Sequence, residues 1–260
     1  MIVSKKKEDR GLTPVVGVFL LLAIGVVLLG MYFTIILPNL TEIAEYNSYN
    51  SIDTDMAELN DKTKSVQADG ISRSHIIDLQ TEYPPGQLVG NRTQKLTLTE
   101  ADTVVNVGTD TTYSYNSGII TYKPNFNQYR PSELFIERGI KVTDSDTQTL
   151  SFESQSVVDG STITITEITG DIDRGSATNI EVSLSQEEAF SSYTVSNDIE
   201  LELYTHISEE KWNDLLEDEL DENGGNISSI DYQENSNLNK IEIELQSDTY
   251  TIQTGEVKIR

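Results

Sequence analysis

The sequence predicts a mainly β protein, in which an N-terminal hydrophobic helix of transmembrane type is followed by an antiparallel, β-sandwich-like outer domain with one short helix. Three observations predict this fold class. Residues 11–41 contain no charged side chain. From residue 70 onward, short runs of alternating apolar and polar residues are separated by polar turns, as is typical of antiparallel strands. Around Trp212 the apolar residues instead recur at helical spacing.

The N-terminal apolar segment is long enough to cross a bilayer. As a helix, residues 15–37 rise about 34 Å, whereas the hydrocarbon core of a bilayer is about 30 Å thick. A basic tract precedes the segment and contains Lys5, Lys6, Lys7 and Arg10. Because positive residues stay on the inner side of a membrane, we expect a single-pass protein with its C-terminal domain outside the cell. A cleaved secretory signal fits less well, since its apolar region is only about 7–15 residues long.

The remainder of the chain is acidic. The 260 residues carry a formal net charge of −25 and include no cysteine. The absence of cysteine excludes disulfides and thiolate metal sites. Strong negative charge repels nucleic acid, so we expect no nucleic-acid partner. Two interpretations of the acidity remain, a surface for cations or basic partners and solubility in high salt. The even scatter of the charges and the scarcity of lysine favour the second, which is typical of a halophile.

A short motif stands at the start of the apolar segment. Residues 9–18, Asp-Arg-Gly-Leu-Thr-Pro-Val-Val-Gly-Val, resemble the N-terminus of archaeal type IV pilins and pilin-like proteins. That family has a short basic leader followed by a Ser/Thr-Pro-Val-Ile/Val-Gly block that opens a hydrophobic helix. The residues that fit this block are Thr13, Pro14, Val15, Val16 and Gly17. The resemblance implies cleavage by a prepilin peptidase between Gly11 and Leu12, so that the leader ends in Arg10-Gly11, and packing of the helix with other pilin subunits.

The residues of the motif also suit a helix start. Thr13 is a good N-cap, and Pro14 would occupy the first helical position, where its missing N–H costs nothing. Gly17, Gly25 and Gly30 are small enough to let neighbouring helices approach closely. The alternative is that these glycines are ordinary membrane-helix composition.

Pro38 predicts a kink or a break in the helix, which gives a basic leader over residues 1–11 and an apolar helix over residues 12–38. Residues 39–69 are predicted to form an amphipathic helix whose apolar side lies on the outer domain. The apolar residues at helical spacing are Leu40, Ile43, Ala44, Ile52, Met56, Leu59 and Val66. A flexible stalk is the alternative, because residues 47–51 are polar and favour helix weakly.

Residues 70–260 are predicted to form the acidic extracellular β domain. We expect a hairpin between residues 111–115 and 118–122 around Asn116-Ser117, a strand over residues 134–142, and a closing hairpin between residues 241–245 and 250–259. Further strands are predicted at residues 179–184 and 199–205. Pro124 and Pro131 mark a candidate subdivision near residues 125–133.

The single short helix of this domain is predicted to begin at Ser208 as its N-cap. Its apolar stripe comprises Trp212, Leu215, Leu216 and Leu220, and Gly224-Gly225 would end it. We interpret Trp212 as a core anchor.

No catalytic constellation is found in the sequence. The only histidines are His75 and His206, and no nucleophile elbow, phosphate-binding loop, dinucleotide fingerprint or zinc spacing occurs. Alternating carboxylates could chelate Ca²⁺ at Asp53/Asp55, Asp144/Asp146 and Asp171/Asp173, although none lies in a full EF-hand pattern. We therefore expect a protein that is not an enzyme, with no cofactor and no metal.

Three sequons are candidates for N-glycosylation if the domain is extracellular: Asn39, Asn91 and Asn226. Taken with the resemblance, the sequence favours a pilin-like surface protein, of a size that suits a minor pilin, with a role in filament assembly or adhesion. The alternative is a single-pass membrane-anchored extracellular binding domain that is not incorporated in a filament.

Overall fold

The computed structural model describes residues 12–79, 81–84, 94–144, 149–151, 157–176, 179–216, 227–235 and 237–260. Helix α1 (Leu12–Met31) leads through a π-helical turn (Tyr32–Ile36) into helix α2 (Leu37–Asp69), and a mostly antiparallel β domain with one short helix, α3 (Glu209–Leu216), follows. The predicted fold class is therefore confirmed.

Pro38 does not break the helix, which was one of the two outcomes predicted from the sequence. In an α-helix, a proline ring clashes with the carbonyl four residues earlier. Here the wider π-helical turn lies directly before Pro38, and the N–H of Leu37 bonds to the carbonyl of Tyr32 five residues back. A π-bulge of this kind absorbs the misfit. The flexible-stalk alternative is also wrong, because α2 continues without a break to Asp69. Gly70, with a φ of 71°, is the C-cap of this helix.

The β domain contains two sheets. The strands are β1 (Arg73–Asp78), β2 (Gln94–Thr99), β3 (Asp102–Val107), β4 (Thr111–Asn116), β5 (Ile119–Lys123), β6 (Glu133–Glu137), β7 (Ile140–Asp144), β8 (Thr149–Ser151), β9 (Val158–Asp159), β10 (Thr162–Gly170), β11 (Asp173–Ser176), β12 (Asn179–Thr205), β13 (Ile227–Gln233) and β14 (Asn239–Ile259). The first sheet has the order β4-β3-β12-β14-β10-β9, with β1 paired to β12 and β13 paired to β14. The second has the order β11-β2-β5-β6-β7-β8.

Two unusually long strands organise the first sheet. β12 has 27 residues and β14 has 21, and they pair antiparallel along most of their lengths with three register shifts. Residues 179–184 and 199–205 are extended as predicted, but they belong to one strand, and the predicted closing hairpin at residues 241–259 is wrong. β14 remains a single strand because its first half pairs with β13 and its second half pairs in parallel with β10.

The predicted hairpin around Asn116-Ser117 is also wrong, because the chain passes from one sheet to the other at this point. β4 pairs with β3 in the first sheet, whereas β5 pairs with β2 and β6 in the second. The N–H of Gly118 bonds to the carbonyl of Ile168 at 3.1 Å. A Cβ on Gly118 would lie 2.4 Å from that oxygen, so only glycine fits this crossing.

The predicted strand over residues 134–142 is a hairpin of β6 and β7. Its two-residue turn consists of Arg138 and Gly139, with φ values of 49° and 75°. Two successive positive φ values are typical of the turns whose twist matches that of paired strands. The candidate subdivision near residues 125–133 corresponds to the connection between β5 and β6, which are neighbours in the second sheet.

The central strands β5 and β6 of the second sheet are buried on both faces, and the domain has two core clusters. Leu134 and Ile136 face helix α2, and Phe135 between them faces the first sheet. The cluster beneath α2 includes Ile52, Met56, Leu59, Val66, Leu96, Tyr122, Ile168 and Val257. The other cluster includes Val105, Val142, Leu201, Trp212, Ile243 and Ile252. Trp212 is 1% exposed, which confirms its predicted role as a core anchor.

Candidate functional site

The most prominent surface of the described chain is the apolar helix itself. From Val15 to Ile36 its large aliphatic and Phe side chains are 47–69% exposed. By length and composition this helix can cross a membrane, and none of its most apolar segment is buried against the rest of the described chain. An N-terminal signal sequence has the same two properties. Exposed apolar surface of this extent marks a site of contact with lipid or with other protein.

The first turns of α2 are inverted with respect to the predicted amphipathic pattern. Leu40 and Ile43 are 42% and 56% exposed, whereas Thr41 and Glu45 are fully buried against the β domain. The prediction that Leu40 and Ile43 lie on the domain is therefore wrong, although it holds further along for residues such as Met56. Between Leu40 and Glu45, two apolar side chains thus face outward and two polar ones inward, whereas Leu37 at the start of α2 is buried.

Glu45 occupies its buried position because its carboxylate is fully hydrogen-bonded. Oε1 accepts the N–H of Asn127 at 2.6 Å and the hydroxyl of Tyr83 at 3.1 Å. Oε2 accepts the N–H groups of Gln128 at 2.7 Å and Tyr129 at 2.8 Å. Hydrogen bonds to a charged acceptor are the strong ones, and three of these come from consecutive backbone groups. The carboxylate therefore fixes the β5–β6 connection against α2.

Aromatic rings surround this attachment. The Tyr129 ring lies edge-on to Tyr46 at 5.5 Å and to Tyr49 at 5.8 Å between centroids. Burial raises the pKa of Tyr129, with Tyr46 adding to the shift. Tyr46 is half exposed and continues the outward apolar surface beyond Ile43. Edge-to-face pairs of this kind add stability beyond the area that they bury.

A shallow groove of about 430 Å³ runs beside the exposed end of α2. Leu40, Ile43 and Ala44 form one wall, and Glu82 and Pro84 lie opposite. With this groove included, the apolar surface extends from Val15 to Ile43, which is about 42 Å along a helix. The apolar surface is therefore longer than a hydrocarbon core of about 30 Å.

The residues of the pilin-like motif lie at the start of this helix or before it. Arg10 and Gly11 fall outside the described residues, and Leu12 opens α1. Thr13 and Pro14 follow in its first turn. Gly17, Gly25 and Gly30 lie on the exposed helix, and nothing lies within 4 Å of the position where a Cβ would stand on any of them.

The sequons occupy different surroundings. Asn39 is exposed in the first turn of α2, but the Thr41 of its sequon is buried and donates its hydroxyl to the carbonyl of Leu37 at 2.8 Å. Asn91 and Asn226 lie outside the described residues.

The structure keeps the two histidines apart. His75 Nδ1 lies 2.9 Å from Lys62 Nζ under α2. His206 stacks on Phe135 at 4.4 Å between ring centroids in the other core region.

The acid pairs form no metal centre among the described side chains. Asp53 pairs with Lys141, and Asp55 accepts the N–H of Asp78. Asp146 lies outside the described residues, as does the side chain of Asp173. No group of three metal-ligating side chains occurs in the part of the chain that the structure describes.

Sequence reasoning missed one further buried polar network, at the turn between β6 and β7. Glu137 accepts the hydroxyl of Thr205 and the N–H of His206, and Arg138 donates to the carbonyl of Tyr204 at 2.8 Å. Burial lowers the pKa of Arg138, and the neighbouring Glu137 opposes that shift. Trp212 Nε1 donates to the Thr205 hydroxyl, so the network anchors α3. Among the described residues, this network lines neither the groove beside α2 nor the pocket beside Gly108 and Asp198.

Comparison of the chain with protein-family models, with curated proteins and with solved structures found no match.

Proposed function

We propose that the chain is a pilin-like surface protein of archaeal type, with a role in filament assembly or adhesion of the kind that a minor pilin performs. Its apolar helix holds the precursor in the membrane and then packs against the helices of other pilin subunits, and its acidic β domain faces outward. One observation carries the proposal: the exposed apolar surface continues past membrane length onto Leu40 and Ile43.

The length of this surface favours protein neighbours over lipid alone. A hydrocarbon core of about 30 Å is filled by about 20 helical residues, so a bilayer leaves Leu40 and Ile43 outside it. A second helix lying along the first would cover both. Burial of each such side chain contributes about 1.5–3 kcal/mol.

The small residues support the same arrangement. The helix is otherwise covered by large apolar side chains, and its backbone is exposed at Gly17, Gly25 and Gly30. Small residues of this kind let two helices approach closely when no hydrophobic effect drives them together.

Removal of the basic leader is part of the proposal. With cleavage between Gly11 and Leu12, the mature helix would carry no charged side chain from Leu12 through Thr41. A retained Lys5-Lys6-Lys7 tract would bring several positive charges into a bundle of apolar helices, where unpaired charge is costly.

A membrane-anchored binding domain that never enters a filament is the second candidate. It is favoured by the length of residues 15–36 alone, which rise about 33 Å and match a bilayer without any partner helix.

The N-terminus of the native protein tests the proposal. Sequencing should show a start at Leu12, and Gly11→Val should leave the leader attached. Gly30→Val serves as the control, because it changes the same residue type within the helix and should leave cleavage intact. A native protein that begins at Met1 or Ile2 in both backgrounds would overturn the processing step and favour the second candidate.

A further variant separates assembly from folding. Gly25→Ile should leave the thermal stability of the β domain unchanged, because no other part of the described chain lies near Gly25. It should nevertheless reduce recovery of the protein in sheared surface filaments. Val26→Ile, at a neighbouring position that already carries a β-branched side chain, should have little effect. Equal recovery of both variants would contradict close packing at the glycine.

A further inference from the structure

One edge of the long strand β12 is only partly covered. β14 pairs with one edge of β12 from Leu184 to Thr205. On the opposite edge, β1 pairs up to Leu184 and β3 pairs from Ile199 onward. No described strand pairs with this edge between those two points. The backbone N–H and C=O groups of such an edge are a template for another strand.

The central part of the uncovered edge, residues 191–197, is uncharged in an otherwise acidic chain. Residues 191–197 read Ser-Ser-Tyr-Thr-Val-Ser-Asn, and the whole protein carries a formal net charge of −25. Exposed acids stand on both sides, Glu187 before the run and Asp198 after it. Proteins usually protect an exposed edge with charged side chains along its length. Here the charges lie only at the two ends.

The two faces of the run differ. Tyr193 and Val195 are half-buried against the core cluster, and the Tyr193 ring lies 5.2 Å from that of Tyr113. The opposite face presents the exposed hydroxyls of Ser192, Thr194 and Ser196. An added strand would therefore meet apolar side chains on one face and hydroxyl groups on the other.

We propose that residues 191–197 of β12 accept a short extended segment of a partner protein as an additional strand. Main-chain hydrogen bonds would give the affinity in this mode of recognition, and alternate side chains the specificity. The segment would be about seven residues long, or about 23 Å, because the uncharged run 191–197 has seven residues and lies well inside the stretch that β1 and β3 leave open. Its centre would alternate apolar and hydroxyl side chains, and a Lys or Arg at the end beside Asn197 would face Asp198. Glu187, before the other end, already pairs with Lys258 and Arg260.

The β12 strand of a second copy does not fit this site. It is 27 residues long and carries its own β1 and β3 on the same edge. If two β12 strands were paired along this run, β1 and β3 of the second copy would clash with the parts of the first copy's β12 that lie on either side of the run. The occupant is therefore a short free segment, such as a terminus or an extended loop. This inference does not depend on the function proposed for the helix.

The test uses the full chain in detergent micelles and a fluorescein-labelled peptide, Lys-Thr-Val-Thr-Val-Thr-Lys, followed by fluorescence anisotropy. We expect saturable binding that weakens at least about 10-fold, or about 1.4 kcal/mol, when alternate peptide amides are N-methylated. Replacing both end lysines by glutamate should also weaken binding, because Asp198 and the net charge of −25 then repel the peptide.

Two matched variants locate the binding. Thr194→Lys places a charge at the open edge and should weaken binding at least about 10-fold. Thr251→Lys introduces the same charge on the same face, opposite Thr194 but on β14, which is covered on both edges, and should change binding less than about twofold. Circular dichroism of both variants checks folding. Absence of saturable binding to the wild type, equal binding of the N-methylated peptide, or equal loss in the two variants would overturn the proposal.

Discussion

The buried carboxylate of Glu45 on α2 accepts the backbone N–H of Tyr129, a residue 84 positions along the chain, at 2.8 Å. The same carboxylate accepts the N–H groups of Asn127 and Gln128. These three groups belong to the β5–β6 connection, which has no strand partner of its own. At Glu45, the helix is therefore held to the β domain by polar contacts. The outward side of the helix at this level is free to be apolar.

Glu45→Ala should destabilise the β domain by about 3 kcal/mol or more, because each buried N–H left without a partner costs about 1–3 kcal/mol. Guanidinium unfolding of the full chain in micelles, followed by Trp212 fluorescence, measures the change. Glu42→Ala, an exposed position in the same turn, should stay within about 0.5 kcal/mol of the wild type. A loss below about 1 kcal/mol for Glu45→Ala would contradict the role assigned to this carboxylate.

Gly118→Ala should cost about 2 kcal/mol or more, since its Cβ would stand 2.4 Å from the carbonyl oxygen of Ile168 at the crossing between the sheets. Thermal unfolding measures the loss. Gly160→Ala is the comparison, because its φ of 53° strains an alanine but no atom lies within 4 Å of the added Cβ. The second variant should therefore lose less stability. If Gly118→Ala were the milder change, the sheet crossing as described would be wrong.

Salt should stabilise the domain, because Glu200 lies directly opposite Glu244 in the β12–β14 ladder. Like charges in this position are destabilising, so Glu200→Gln should gain about 0.5 kcal/mol at low salt. The gain should vanish near 2 M NaCl, since the Debye length is only about 3 Å at 1 M. Glu187→Gln removes the same charge but breaks ion pairs to Lys258 and Arg260, so it should not stabilise. A gain of Glu200→Gln that is unaffected by salt would argue against charge repulsion.

Alkaline pH should weaken the fold through Tyr122. Burial raises the pKa of its hydroxyl above the ordinary value of about 10, with Tyr49 and Tyr83 adding to the shift. The folded state then holds this proton more tightly than the unfolded state. The resulting stabilisation is complete below about pH 10 and is lost as the pH rises further.

Tyr122→Phe removes the ionisable group and should flatten this alkaline loss, measured by denaturant unfolding between about pH 8 and 11. At neutral pH it should cost about 1 kcal/mol, because the hydroxyl donates to Gln94 Oε1 at 2.6 Å. An alkaline slope identical to that of the wild type would show that Tyr122 does not contribute to it.

Composition and spacing were sufficient to predict the apolar helix, the β-rich domain and the buried Trp212. They did not predict the inversion at Leu40 and Glu45. Helical spacing shows which residues share a face, but not whether that face meets the core. The partners of Glu45 lie more than 80 positions away, so no local pattern reveals them.

The strand errors have a similar physical origin. Asn116-Ser117 reads as a hairpin turn, but the same polar residues serve equally well where a chain crosses between sheets. Residues 185–198 lack regular alternation, so the sequence suggests a break in β12. They remain extended because β14 pairs with them across the register shifts. Pairing between distant strands, rather than local preference, decides both cases.

Photo-crosslinking from position 43 in the native host tests the central claim most directly. Ile43, exposed beyond membrane length, is replaced by a photoreactive phenylalanine analogue, and the covalent partner is identified by mass spectrometry. The proposed packing predicts protein adducts whose partner peptide comes from the apolar helix of another pilin subunit. The same probe at Met56, which is fully buried between α2 and the β domain, should react only within its own chain. Adducts to lipid alone, or no adducts at Ile43, would contradict the packing of this helix in a filament.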